Sequence, residues 1–70
     1  MTKIVITFAG ATPEREFSWD PAESCEWYDA RSMGAGGLAI FHCADPAGGH
    51  YSERMIEAYA PGQWRKVVRS

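Results

Sequence analysis

Residues 20–34, Asp20-Pro21-Ala22-Glu23-Ser24-Cys25-Glu26-Trp27-Tyr28-Asp29-Ala30-Arg31-Ser32-Met33-Gly34, decide the fold, because they support two incompatible secondary structures. The first is a helix. Asp20 is a strong N-cap residue, Pro21 suits the first helical position, and Glu23 stands where a capping box needs a carboxylate. Asp20, Glu23, Glu26 and Asp29 recur every third residue, so a helix would carry them in one row, with Cys25, Trp27 and Tyr28 opposite and Arg31 near that side. Gly34, Gly36 and Gly37 then supply a stop. The second reading is a strand through Ser24–Asp29, since Trp and Tyr favour sheets. The start and stop signals favour the helix, and that is the expectation taken forward.

The flanking segments read as strands. Lys3–Phe8 (KIVITF) alternates, with Ile4, Ile6 and Phe8 on one face and Lys3, Val5 and Thr7 on the other. Ala9–Pro13 has turn chemistry, and Arg15–Trp19 (REFSW) alternates again, which predicts an N-terminal hairpin. Leu38–Cys43 (LAIFHC) is a continuous apolar run and the expected central strand. Asp45–Gly49 is a loop. Arg54–Tyr59 and Trp64–Arg69 flank Pro61-Gly62-Gln63 and predict a second hairpin. The expected order is ββαβββ: a single α+β domain over residues 1–70, with a mostly antiparallel sheet of about five strands and one helix packed on a face.

Seventy residues leave room for one small core, since a chain this short buries only about 60% of the surface its unfolded form exposes. Three Trp, three Tyr and three Phe supply bulk for that core and argue against disorder. No apolar run approaches the roughly 20 residues that span a bilayer. Met1-Thr2-Lys3 leads into a strand pattern rather than the apolar region of a secretory signal. The expected compartment is the cytoplasm, with Cys25 and Cys43 as reduced thiols.

Little in the chain spells out a reaction. The glycine cluster Gly34–Gly37 follows its helix signal instead of preceding one, which is the wrong order for a phosphate loop. Cys25, His42, Cys43 and His50 form an imaginable metal set, but adjacent His42 and Cys43 on a strand point to opposite faces. Cys43 with a distant base such as His50 is the one thiol-enzyme arrangement available. No nucleophile elbow or Ser-His-Asp signature is visible, so no enzyme activity, cofactor or metal is expected.

Charge is the informative property. The net charge is −2, but six acids (Glu14, Glu16, Asp20, Glu23, Glu26, Asp29) fall between residues 14 and 29 against one base, Arg15. Arg54, Arg65, Lys66 and Arg69 against Glu57 reverse the sign towards the C-terminus. Helix capping accounts for Asp20 and Glu23. It accounts less well for Glu26 and not at all for Asp29, near the helix end where anions are unfavourable, and Glu14 and Glu16 on the preceding strand extend the same sign. Such acids are candidates for presentation to Arg and Lys on another molecule, with Trp27 and Trp64 as aromatic anchors.

In size, in strand-and-helix order and in its acidic face (Glu14, Glu16, Asp20, Glu23, Glu26, Asp29), the chain resembles small phage-encoded inhibitor proteins of the anti-CRISPR type. The resemblance implies a non-enzymatic inhibitor that docks an acidic helix face on a basic, nucleic-acid-binding surface of a host protein or nucleoprotein complex. The cytoplasm would then be that of a bacterial host cell. Arg65, Lys66 and Arg69 depart from uniform acidity. They carry the alternative, a nucleic-acid-binding strip together with Trp64; given the acidic balance, direct nucleic-acid binding is the lesser expectation. A structural accessory domain that oligomerises through exposed strand edges is a further alternative.

Overall fold

The computed structural model describes residues 1–70. Six strands run in order: β1 (Thr2–Phe8), β2 (Arg15–Trp19), β3 (Glu26–Met33), β4 (Gly37–Ala44), β5 (Ser52–Tyr59) and β6 (Trp64–Arg69). They form two three-stranded antiparallel sheets, ordered β2-β1-β6 and β3-β4-β5. The only helical element is a single 3-10 turn, Gly34–Gly36. The α+β expectation is therefore wrong. The segment read as a helix is a short turn followed by an eight-residue strand.

The capping signals were real but stopped at one turn. Asp20 Oδ1 accepts from the Ala22 amide at 3.0 Å, and the Asp20 carbonyl accepts from the Glu23 and Ser24 amides at 3.2 and 3.0 Å. Ser24 Oγ then accepts from the Glu26 amide at 3.0 Å, a local bond that competes with helix propagation and turns the chain into extended conformation. A nucleated turn grows only if each added residue gains enough. Here the alternative gains more, because β3 pairs with β4 over eight register positions, from Glu26 opposite Ala44 to Met33 opposite Gly37. Period two also sorts the side chains: Tyr28 and Ala30 turn inward, while Trp27, Asp29 and Arg31 turn outward.

The glycine cluster does not stop a helix; it turns the β3–β4 hairpin. Ala35 and Gly36 both adopt left-handed conformation (φ 63° and 87°), as the turns that match hairpin twist require. Gly37 sits so tightly that a Cβ there would lie 3.2 Å from the Met33 Cβ.

The sheets pack face to face. Ile4, Ile6 and Phe17 from the first and Leu38 and Ile40 from the second form the buried core, flanked by Phe8, Trp19, Tyr28, Ala30, Ile56, Tyr59, Trp64 and Val67. The thinnest Cα extent of the molecule is 14 Å, which accommodates two sheets about 10 Å apart and no third layer. The expected strands β1, β2, β4, β5 and β6 are all present. However, β5 and β6 are not a hairpin: the Ala60–Gln63 turn carries the chain from one sheet to the other, and β6 pairs with β1. Lys3 and Ser70 exchange both backbone hydrogen bonds at 3.0 Å. Register slips by one residue in β5, between the partners of Ile40 and Phe41. This bulge lets Ile56 join the core while its neighbour Glu57 meets Arg15 of β2.

Side chains close the sandwich along its edges. Trp64 donates its indole N–H to the Gly36 carbonyl in the β3–β4 turn at 3.1 Å, and Arg69 donates to the Ala30 carbonyl of β3, so β6 covers one acceptor in each. On β5, Glu57 accepts a two-pronged bond from Arg15 (2.6 Å at the shortest) and a further bond from the Tyr59 hydroxyl. Arg15 holds the Glu57 carboxyl below its usual range. Burial, then the bond to Glu57, pushes the Tyr59 phenol up to about 12.

Candidate binding surfaces

Without a helix, the acidic row is not a row. The six acids occupy three separate places, and most have partners within the chain. Glu14 accepts from the Thr7 hydroxyl at 2.9 Å, and Glu16 lies 3.8 Å from Lys3 Nζ on the outer face of the first sheet. Asp29 is on the outer face of the second sheet, 2.7 Å from Arg31 and 3.4 Å from Arg69. Only Asp20, Glu23 and Glu26 remain together, on the crossover from β2 to β3. Asp20 caps its own turn and Glu26 lies 3.0 Å from His42 Nε2, which leaves Glu23 exposed and unpaired.

The crossover also builds a pocket that the sequence did not announce. Trp19 ends β2, Trp27 sits near the start of β3, and Asp45 follows β4. The Asp45 amide donates to the Cys25 carbonyl at 3.0 Å, which ties the β4 exit to the crossover. Trp19, Trp27, Glu26 and Asp45, with Pro21, Ser24 and Cys25, line an open pocket of about 340 Å³. Its two charged residues are both acids, and no Lys or Arg lies between Trp19 and Trp27 in sequence. The only signal for it was register: reading residues 26–33 as a strand paired with 37–44 places Glu26 beside Ala44, and hence near Asp45. A larger hollow of about 440 Å³ at Phe8, Thr12, Tyr59 and Gln63 has no charged lining.

The outer face of the second sheet is the other surface hidden from sequence reasoning. Arg31 stands over the Phe41 ring, 4.3 Å from its centroid. Its guanidinium donates to both Glu53 oxygens, at 3.1 and 2.7 Å, and to Asp29 at 2.7 Å. Tyr51 donates its hydroxyl to Glu53 at 2.8 Å and packs against Trp27, ring centroids 6.2 Å apart. Arg31, then Tyr51, draws the Glu53 carboxyl down to about 2. Beneath these groups Cys43 is fully buried, and burial pushes its thiol above the usual range. The face is a closed network in which each charge meets its opposite.

The remaining candidates are separated by the fold. Cys25 is exposed and Cys43 buried. His42 turns inward, against the edge of Tyr28 (5.5 Å between centroids). No group of three or more His, Cys, Asp or Glu side chains is placed to hold a metal ion. A buried thiol with a raised pKa is the opposite of an activated nucleophile, which removes the basis for pairing Cys43 with His50. The basic strip is also broken. Trp64 turns inward to Gly36 and Arg69 reaches Asp29, so only Arg65 and Lys66 point their charge to solvent. No helix is long and apolar enough to cross a membrane. No protein family, curated protein or solved structure matches the chain.

Proposed function

We propose that the chain is a small non-enzymatic binding protein whose acidic β2–β3 crossover docks on a basic surface of a partner protein. One observation carries this reading. Glu16, Asp29, Glu53 and Glu57 each meet an Arg or Lys of the chain and Glu14 meets the Thr7 hydroxyl, whereas on the crossover Asp20 meets only its own turn, Glu26 meets His42 and Glu23 meets no partner. Unpaired acids on a tight turn raise the rate of encounter with a basic surface more than they add to the fold. Trp27, half-buried at the edge of the same stretch, is the aromatic anchor such an interface uses. The corrected interface differs from an acidic helix face. Asp29 is spent on Arg31 and Arg69, Trp64 on Gly36, and Glu14 and Glu16 belong to another side. With the strand-and-helix order gone, the likeness to small phage-encoded inhibitors is one of size and acidic composition, and from it we take the partner's class, a nucleic-acid-binding protein or nucleoprotein complex of a bacterial host.

The test is comparative capture from host lysate at low salt, using the wild-type chain and the Glu23→Lys variant. The expected result is a basic, nucleic-acid-binding protein retained by the wild type, lost with Glu23→Lys and displaced by excess duplex DNA. A partner retained equally by both chains refutes the reading.

A further inference from the structure

One histidine stands beside the acidic crossover, and strand register sets its place. His42 lies in β4, opposite Tyr28 of β3 on one side and Arg54 of β5 on the other. The row faces inward, since Tyr28 packs against Phe17 and Trp19 of the first sheet and against the His42 ring. His42 Nε2 lies 3.0 Å from Glu26 Oε1, the one ion-pair contact made by a crossover acid. The groups facing the imidazole are therefore Glu26 and the Tyr28 phenol from β3 and Arg54 from β5. The first sheet brings apolar rings to this corner, and the charges of β2, Arg15 and Glu16, are held elsewhere by Glu57 and Lys3. On the β4 exit Asp45 follows, its amide bonded to the Cys25 carbonyl at 3.0 Å. Histidine changes its charge between about pH 5 and 8, where carboxylates and guanidiniums ordinarily keep theirs. A neutral imidazole leaves the charge of Glu26 in place, and an imidazolium in contact with it cancels that charge.

We infer that His42 sets the charge of the crossover according to pH: beside a neutral ring Glu26 adds its charge to those of Asp20 and Glu23, beside a protonated ring it does not, and docking on a basic surface weakens as the solution turns acid. The inference rests on the binding function proposed above and adds its regulation. The sign follows from charge alone. Proton uptake by His42 places one positive charge against Glu26, and a basic surface meets that charge as repulsion. The Glu26 side chain is 57% exposed and that of His42 27%, so solvent screens the effect and the change is of a few fold rather than of orders of magnitude.

The probe is a hexa-arginine peptide with acetyl and amide caps, which carries no group that titrates between pH 5.5 and 7.0. Its affinity for the wild-type chain at low salt is expected to be about threefold weaker at pH 5.5 than at pH 7.0. His42→Gln should flatten this profile, and His50→Gln, in the exposed loop after β4, should leave it unchanged. Glu26→Gln at pH 7.0 should bind about as weakly as the wild type at pH 5.5, because it removes the same unit of charge. Wild-type binding that ignores pH, an undiminished drop in His42→Gln, a drop lost in His50→Gln, or unchanged affinity in Glu26→Gln overturns the inference. Should His42→Gln fail to fold, His50→Gln carries the test alone, since His42 is then the one histidine left. The midpoint of its affinity change must coincide with the midpoint of the His42 ring-proton shift in a nuclear magnetic resonance titration, and a mismatch overturns the inference. Its failure is distinguishable from that of the parent reading: peptide binding lost with Glu23→Lys but insensitive to pH leaves docking intact and removes only the regulation.

Discussion

Replacing Ile40 by alanine tests the face-to-face packing of the two sheets. Ile40 has no exposed surface and lies in β4, the central strand, with Ala30 and Glu57 as register partners. Ile→Ala removes three carbons, worth about 2.4 kcal/mol of transfer free energy at about 0.8 per methylene. A rigid site would add about 1.5 kcal/mol for a cavity of roughly 60 Å³ at ~24 cal/mol per Å³. The sandwich is thin, so the walls of the site relax in part and the expected loss is about 3 kcal/mol, inside the ~2–5 range for such changes. A domain of 70 residues has only about 3.5–10 kcal/mol in total. With a urea slope of about 1 kcal/mol per molar, the unfolding midpoint should fall by about 3 M, or the chain should be unfolded in buffer. Ile40→Val should lower it by about 1 M. Val68→Ala, at a position 47% exposed on the outer face of the first sheet, is the control and should shift it by less than about 0.5 M. Unfolding followed by tryptophan fluorescence and far-ultraviolet circular dichroism measures all three. If Ile40→Ala stays within about 1 M of wild type, or Val68→Ala matches it, the sheets do not meet at Ile40.

Acid titration should show the Arg31–Glu53 pair. A carboxyl lowered from 4.5 to about 2 on folding favours the folded state above its unfolded pKa, and that contribution is lost as pH falls from about 4.5 towards 2. Glu53→Gln should flatten the stability–pH curve in that window; an unchanged curve refutes the pairing, and high salt should weaken it in wild type. The two thiols should separate by exposure. A thiol reagent at neutral pH is expected to modify Cys25 at once and Cys43 only on unfolding, so one fast thiol per native chain is predicted and two fast thiols would contradict the burial.

How far the sequence could be read depends on which signals were local. The alternation in Ile4-Val5-Ile6 and in Arg15–Trp19 identifies strands because each residue's side is set by the pleat alone. Leu38–Cys43 identifies a central strand because a strand flanked on both edges has its outward residues, Ala39 and Cys43, shielded by the long side chains of its neighbours while Leu38 and Ile40 face the other sheet. Residues 20–34 misled because Asp20, Pro21 and Glu23 start a helix and a single turn equally well. What separates the two outcomes is the pairing of β3 with β4, which no local rule contains. The acidic cluster was visible as composition, but its division followed from distant partners: Arg31 and Arg69 claim Asp29, and His42 claims Glu26. Trp19 and Asp45, 26 positions apart by their numbers, meet only through that same hairpin register.

The pairing of β1 with β6 has a consequence for how the fold is reached. Every pair in the second sheet joins neighbours in sequence, so β3, β4 and β5 can assemble as a meander with short loops. The first sheet cannot. Val5 meets Val68 and Ile4 meets Arg69, contacts that close almost the whole chain into one loop and are slow to find. Until β6 arrives, β1 has an open edge and Leu38 and Ile40 lack part of their cover. During synthesis the chain therefore passes through a state with a finished second sheet and an exposed apolar face, and β6 is the segment whose arrival ends its exposure to aggregation.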